Sequence, residues 1–212
     1  MATVVVFGAT GYSGEAIAAE LARRGHQVTG VSRTAEPDVT KDGVRLVRGS
    51  VEDAAEVADL AKGADVVVVA VHASAGAKEM REYLPGLLEA TSGARIGFMG
   101  GAGSLHVAEG GPLLVEGPDF PDQFKGEALA HKAVLDALRQ TDESVDWFYV
   151  SPAAGYGSYA PGETTGTFRI GGDVLLTDAE GNSRLSAGDL AKAFADEIER
   201  PAHRRARLHV AY

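Results

Sequence analysis

Thr3-Val4-Val5-Val6-Phe7-Gly8-Ala9-Thr10-Gly11-Tyr12-Ser13-Gly14 is the stretch that decides the fold. Its first five residues are apolar or β-branched, the composition of a buried strand. Three glycines, Gly8, Gly11 and Gly14, then recur at three-residue spacing. From residue 15 to residue 24 the chain reads as an amphipathic helix, with Ile17 and Leu21 one turn apart and Gly25 just past its end. A strand, a glycine-rich turn and a helix in that order make the phosphate-binding start of a dinucleotide-binding unit. Gly8 allows a tight turn, Gly11 lets the backbone approach a pyrophosphate, and Gly14 lets the helix pack closely on the strand. Thr10, Tyr12 and Ser13 complete the turn, where free N–H groups and the helix dipole favour an anion. The plain alternative is a glycine turn with no ligand.

The pattern continues outward. Short β-branched runs at residues 28–32, 44–48, 65–71, 95–99 and 145–150 alternate with helical segments at 53–62, 75–91 and 125–140. That order implies parallel strands joined by crossover helices, an α/β doubly wound sheet. Residues 66–71 are wholly apolar, which predicts a central strand buried on both faces. Pro85 reads as a kink or break in its helix. Residues 109–124, rich in Pro and Gly, read as a long loop. Beyond Ser151 the pattern changes. Residues 167–170 and 174–177, around Gly171-Gly172-Asp173, predict a short hairpin. A helix capped by Ser186 follows over Ala187–Glu199, then a last strand at 207–211. We expect one domain over residues 1–212, with a small substrate lobe formed mainly by 151–186.

Composition excludes several classes. The net charge of −10, from 30 acidic and 20 basic residues, argues against nucleic acid and against a polybasic membrane anchor. With no cysteine, disulfides, thiolate nucleophiles and cysteine–metal sites are excluded. No run is long enough to span a bilayer, no charged leader precedes the first strand, and no histidine spacing suggests a metal. These features predict a cytoplasmic protein, a monomer or homodimer, acting on a small molecule.

The end of the second strand bears on which dinucleotide binds. An acidic residue there usually holds the ribose 2′-hydroxyl of NAD. This chain has Val31-Ser32-Arg33-Thr34, with no carboxylate before Glu36. Ser32, Arg33 and Thr34 therefore read as a 2′-phosphate site, with the Arg33 guanidinium as its partner. NADP(H) is the preferred cofactor on this reading and NAD(H) the second choice. The alternative for Arg33 is a solvated loop arginine.

Several blocks together resemble one family. They are Gly8 to Gly14, Gly100-Gly101-Ala102-Gly103-Ser104-Leu105, Pro118-Asp119-Phe120-Pro121, Ser151-Pro152-Ala153-Ala154, Gly162-Glu163-Thr164-Thr165-Gly166 and Gly171-Gly172-Asp173. To these are added Ser183-Arg184-Leu185-Ser186, Asp189-Leu190-Ala191 and Val210-Ala211-Tyr212. They resemble the atypical short-chain dehydrogenase/reductases, the branch with the NmrA-like proteins and biliverdin-IX-beta reductases. The likeness is greater to the bacterial NAD(P)H-flavin reductase group, and it covers nearly the whole chain. The resemblance implies that Val71, His72 and Ala73 lie along the cofactor and that Gly100 and Gly101 face the nicotinamide. It also implies that Pro152 and Ala153 pass the carboxamide and that Ser50 and Val51 flank the adenine. Ser50 stands where relatives carry an Asp.

Classical relatives use a Tyr-x-x-x-Lys pair as proton donor and ribose anchor. This chain has none; the corresponding helix offers Ala128 and Lys132. A flavin, quinone or similar flat acceptor relaxes the requirement, because the cofactor supplies hydride and a proton can come from solvent. Ser104, as a hydrogen-bond partner of the acceptor, and His72, as a proton donor, are the catalytic candidates. Their alternatives are a loop-capping serine and a pocket-lining histidine. Lys132 on the ribose, and Tyr156 and Tyr159 stacked on a substrate, stand against a surface lysine and surface aromatics. The leading expectation is an NADPH-dependent reductase with flavin as substrate, not as a tightly bound cofactor. A non-catalytic NADP(H)-sensing regulator of the NmrA-like type is the alternative. An epimerase or dehydratase comes third, since the Tyr is missing and the lobe is short.

Overall fold

The computed structural model describes residues 1–36, 39–74 and 76–212. Its strands are β1 (Thr3–Phe7), β2 (Gln27–Ser32), β3 (Val39–Lys41), β4 (Val44–Arg48), β5 (Val66–Val69), β6 (Arg95–Met99), β7 (Trp147–Ser151), β8 (Arg169–Gly171) and β9 (Ala206–Ala211). Its helices are α1 (Tyr12–Arg23), α2 (Ala54–Leu60), α3 (Met80–Ala90), α4 (Asp122–Arg139) and α5 (Ala187–Glu199), with a 3-10 turn at Leu114–Glu116. The strands form one nine-stranded sheet in the order β3-β4-β2-β1-β5-β6-β7-β9-β8. Only the edge pairs β3–β4 and β8–β9 are antiparallel. This is the doubly wound, Rossmann-type α/β fold that the alternating pattern predicts.

The period-two alternation of each strand builds two cores. Val4, Val6, Val66 and Val68 face α1 and α5, meeting Ile17, Leu21, Leu190 and Phe194. Val5, Phe7, Val67 and Val69 face α2, α3 and α4, meeting Val57, Leu84, Leu87 and Val134. All four residues of β5 are buried, as a central parallel strand covered by helices on both sides requires.

Four expectations are corrected. α1 starts at Tyr12, not residue 15, because Gly11 already serves as its N-cap. α3 starts at Met80, and its expected first residue, Ala75, lies outside the described residues; a capping box at Glu79 and Glu82 sets the start. Pro85 does not break α3. Its ring lies on the exposed face, where water can solvate the carbonyl it leaves unpaired. The hairpin at 167–177 does not form. β8 pairs with β9, and Val174 bridges to His106. The Asp173 carboxylate accepts from Arg139 and Arg207, and its carbonyl accepts from His106 N at 2.8 Å, so the chain turns toward residue 106.

The segment after β7 is anchored by α5. Asp189 is fully buried. It accepts from Thr165 N (2.7 Å), Gly166 N (2.9 Å) and the Tyr212 hydroxyl (2.7 Å). Burial pushes its carboxyl up, but the hydrogen bonds from Tyr212, Thr165, Lys192 and Gly166 outweigh that and hold it at about 2.

Candidate functional site

Leaving β1, the chain first builds outward through β2 and β4. It then crosses back to place β5 on the other side of β1. Such a reversal opens a crevice beyond the carboxyl ends of the strands, where α/β folds take ligands. A cleft of about 230 Å³ lies there. Its walls are Phe7, Gly8, Thr10 and Gly11 after β1, and Val31, Ser32, Arg33 and Thr34 at the end of β2. Gly49, Ser50, Val51 and Glu52 follow β4; Ala70, Val71 and His72 follow β5; Tyr83 comes from α3. Ten predicted site residues thus meet in one cleft: Gly8, Thr10, Gly11, Ser32, Arg33, Thr34, Ser50, Val51, Val71 and His72.

The turn is bare backbone by necessity. Gly8 has φ +85°, and a methyl group there would stand 2.8 Å from the Ala70 carbonyl carbon. On Gly14 a methyl would stand 2.7 Å from the Gly8 carbonyl carbon. Gly11, the N-cap of α1, offers no side-chain acceptor. The first-turn N–H groups of α1 have no partner inside the helix, so they keep the donors and the positive dipole end that a pyrophosphate takes. A turn with no Cβ at Gly8, Gly11 and Gly14, beside free helix donors, fits a dinucleotide.

At the end of β2, Thr10 Oγ1 and Ser32 Oγ lie 2.8 Å apart, and Thr34 N donates to Ser32 Oγ at 3.3 Å. This chain of hydroxyls ties the turn to the second strand. Among the described residues no carboxylate pairs with the exposed Arg33. Arg48 Nε donates to the Arg33 carbonyl at 3.0 Å, which brings a second guanidinium to the same rim. Sequence reading missed Arg48; the register that pairs it with Ser32 would have found it. It also missed Glu52. Ser50 is fixed through its N–H, which donates to Glu56 at 2.8 Å.

Other predicted residues lie off the cleft. Ser13 Oγ and the Tyr156 hydroxyl are 2.8 Å apart, and the Tyr12 and Tyr156 rings meet at 5.5 Å. Tyr156 thus docks the segment after β7 onto the glycine turn instead of standing free. Tyr159, 63% exposed, stacks on Phe124 at 5.7 Å. Gly100 is buried against the Tyr149 ring and Gly101 lies beside His131. Pro152 and Ala153 are buried at the end of β7. Ser104 is buried, and its Oγ accepts from Arg207 Nη1 at 2.8 Å. Its carbonyl accepts from the same guanidinium, so the residue is already engaged in fixing its loop.

The helix expected to carry Tyr-x-x-x-Lys uses other residues. Ala128 lies against Gly103, where a methyl added to the glycine would come within 2.6 Å of the Ala128 Cβ. Lys132 Nζ donates to Asp136 at 2.6 Å along the same helix. The residue of this helix that meets a cleft residue, His72, is Glu127, unmarked in the sequence reading. Its carboxylate accepts from Ala73 N (2.7 Å), Ser74 N (3.0 Å), the Ser74 hydroxyl, His72 Nδ1 (3.3 Å) and His131 Nε2 (2.9 Å). Burial pushes this carboxyl up, but the His131, His72 and Ser74 hydrogen bonds outweigh it and hold Glu127 far below the usual carboxylate range. The same pairing raises His72 above the ordinary imidazole value, against the opposing effect of desolvation. Tyr83 is pushed up by burial and by the Glu52 and Glu127 carboxylates, so its phenol stays protonated. Among the described residues there is no group of His, Asp and Glu that could hold a metal ion, and no helix long and apolar enough to cross a membrane.

The model of the family described as NAD(P)H-binding matches residues 8–201. The uncharacterized protein YwnB of Bacillus subtilis is 34% identical over 210 residues, covering 97% of this chain and 96% of its own. A solved structure from Burkholderia pseudomallei, provisionally named an exported protein, is 38% identical with TM-score 0.84, covering all of both chains. One from Bacteroides thetaiotaomicron, provisionally named an epimerase, is 31% identical with TM-score 0.88, covering 100% of this chain and 98% of its own. One from Streptococcus pneumoniae, provisionally named an NADH-flavin reductase, is 29% identical with TM-score 0.83, covering 100% and 99%.

Proposed function

The chain belongs to the NAD(P)H-binding family and has an atypical short-chain dehydrogenase/reductase fold; from that premise we propose that it is an NADPH-dependent reductase of a flavin, quinone or similar flat conjugated acceptor. The observation that carries the reading is the cleft itself. Glycine backbone lines one wall, Arg33 the second-strand rim, and a histidine paired with a partly buried carboxylate the third. The bound cofactor supplies hydride. In this reading Gly8, Thr10, Gly11, Tyr12, Ser13 and Gly14 hold the pyrophosphate, while Ser50 and Val51 flank the adenine. Val71, Ala73, Gly100, Gly101, Pro152 and Ala153 shape the nicotinamide half. Residues 151–186 form the acceptor's lobe on a single domain. The acceptor is a freely exchanging small molecule and the protein a cytoplasmic monomer or homodimer, without nucleic-acid or membrane partners. The Streptococcus pneumoniae relative's name supports the reaction class, while the Bacteroides thetaiotaomicron name points to isomerisation, for which the missing Tyr-x-x-x-Lys leaves no proton donor of the usual kind.

Acceptor-dependent loss of NADPH absorbance is expected with at least one of FMN, FAD, riboflavin and a short panel of quinones. If none is reduced, and oxidised and reduced cofactor bind with different affinities, the protein is a redox-sensing regulator and not a reductase.

Arg33 decides the cofactor. A guanidinium on a 2′-phosphate is a charge-assisted contact worth about 1.5–3 kcal/mol, so Arg33→Ala should weaken NADPH binding roughly ten- to a hundredfold. NADH binding should barely change. Equal affinity of both proteins for both cofactors in a fluorescence titration would remove the NADP preference.

A further inference from the structure

We propose that Glu127 is the positioning residue of this site, a carboxylate that clamps residues 72–74 and presents His72 as the proton donor to the acceptor. The inference rests on the reductase reading and assigns its missing proton. Three observations carry it. First, Glu127 gathers donors from three consecutive residues, His72, Ala73 and Ser74, and so fixes the chain where it leaves β5 for the cleft. Second, its contact is with Nδ1 of His72, which leaves Nε2 for a ligand, and the His72 side chain is 78% exposed. An imidazole held at one nitrogen by a carboxylate has a fixed tautomer and orientation at the other. Third, His131 donates Nε2–H to the same carboxylate from one turn further along α4, while its Nδ1 is buried with no partner among the described residues. Glu127 therefore keeps its charge and its place when His72 gives up its proton.

The arrangement is electrostatically local. Glu127 is faced by His72 and Ser74 from the segment after β5, by His131 on α4, by Tyr83 on α3 and by Tyr149 on β7. Arg33 and Glu52 line the same cleft as His72. Burial holds both phenols protonated.

The step balances. Hydride carries two electrons and one proton to the acceptor; the second proton moves from His72 Nε2 to the acceptor atom that gained electron density. His72 is then neutral and takes a proton from water, to which it is open. The donor form exists below the His72 pKa, so turnover should fall as pH rises through that value. Because Glu127 raises that value, removing its charge moves the falling limb to lower pH.

The test compares wild type, Glu127→Gln and His72→Asn. Glutamine keeps the size and one acceptor oxygen, so the variant tests charge more than folding. NMR titration of the His72 ring in cofactor-free protein should give a midpoint above that of an ordinary histidine in wild type, displaced downward in Glu127→Gln. The alkaline limb of turnover with the best acceptor should move in the same direction. At pH 8 the variant should lose about tenfold in kcat, with KM for NADPH within about twofold, because the donor is kept but less of it is protonated. His72→Asn should lose more, about a hundredfold, and show no such limb. Turnover by wild type with an unmoved limb in Glu127→Gln, or an unmoved titration midpoint, overturns this inference alone. Failure of wild type to reduce any acceptor overturns the reductase reading and the donor role with it, whatever the titration shows.

Discussion

Gly14→Ala should lower the melting temperature by roughly 4–8 °C and weaken dinucleotide binding about a hundredfold. The direction is the informative part. Inside a helix Ala is preferred to Gly by about 1 kcal/mol, so propensity alone predicts a more stable protein. Against it stands a methyl 2.7 Å from the Gly8 carbonyl carbon and 3.2 Å from Ala9 N. Both are backbone atoms in a turn that hydrogen bonds to Val31 hold from the other side, so neither can swing away. Overpacking of this kind costs about 3 kcal/mol, which leaves a net loss of about 2 kcal/mol. α1 must also retreat from the turn, and the donors at its start leave the phosphate position with it. Gly126→Ala in α4 is the matched control. Nothing lies within 4 Å of the methyl it would gain, so the same exchange there should stabilise by up to about 1 kcal/mol. Thermal melts and NADPH titrations of the two variants give the answer. A Gly14→Ala protein that melts and binds like wild type would mean that the helix does not press on the turn.

Asp173→Ala should cost about 2–3 kcal/mol, or roughly 5–10 °C in melting temperature. The loss comes from the group left behind. Arg207 has a side chain only 2% exposed, and its Nε donates to Asp173 at 2.7 Å. Burial already draws this guanidinium below the ordinary arginine range, with Asp173 working against that. Without the carboxylate, a buried cation keeps, among the described residues, the Ser104 oxygens as its acceptors. Lys125–Asp122 has nearly the same separation, 2.7 Å, yet Asp122 is 92% exposed and its removal should scarcely register. If the two aspartate variants melt alike, burial is not what gives the Asp173 pair its weight. Arg207 also holds the loop at Ser104, so the Asp173 variant should loosen the chain beyond β6.

Much of this molecule is written locally, and local features are the ones a sequence displays. The glycine turn, the apolar run of β5 and the Ser186 cap each depend on neighbours a few residues away. Ala187–Glu199, Val44–Arg48 and Arg95–Met99 match their expected bounds for that reason. What failed depends on distant partners. The run at 174–177 has strand composition, but Arg207 and Arg139, both remote in sequence, take Asp173 and turn the chain elsewhere. The site divides in the same way. Gly8, Thr10, Ser32 and Arg33 lie beside recognisable strand ends. Arg48 enters only through the register of β4 against β2. Glu127 sits 53 to 55 positions from the residues it holds. Its signal was present but unread: a carboxylate one turn before His131, on the helix that classical relatives use for their proton donor.

The placement of β9 has a consequence for synthesis. It is the last of these strands to be made, yet it lies inside the sheet, between β7 and β8, and not at an edge. While it is still being made, β7 presents an open row of N–H and C=O groups, and β8 has no strand to join. An unpaired parallel edge of Trp147, Phe148, Tyr149 and Val150, all buried in the finished fold, is the kind of surface that captures other chains. Until the six residues Ala206–Ala211 pair with it, that edge is open to other chains.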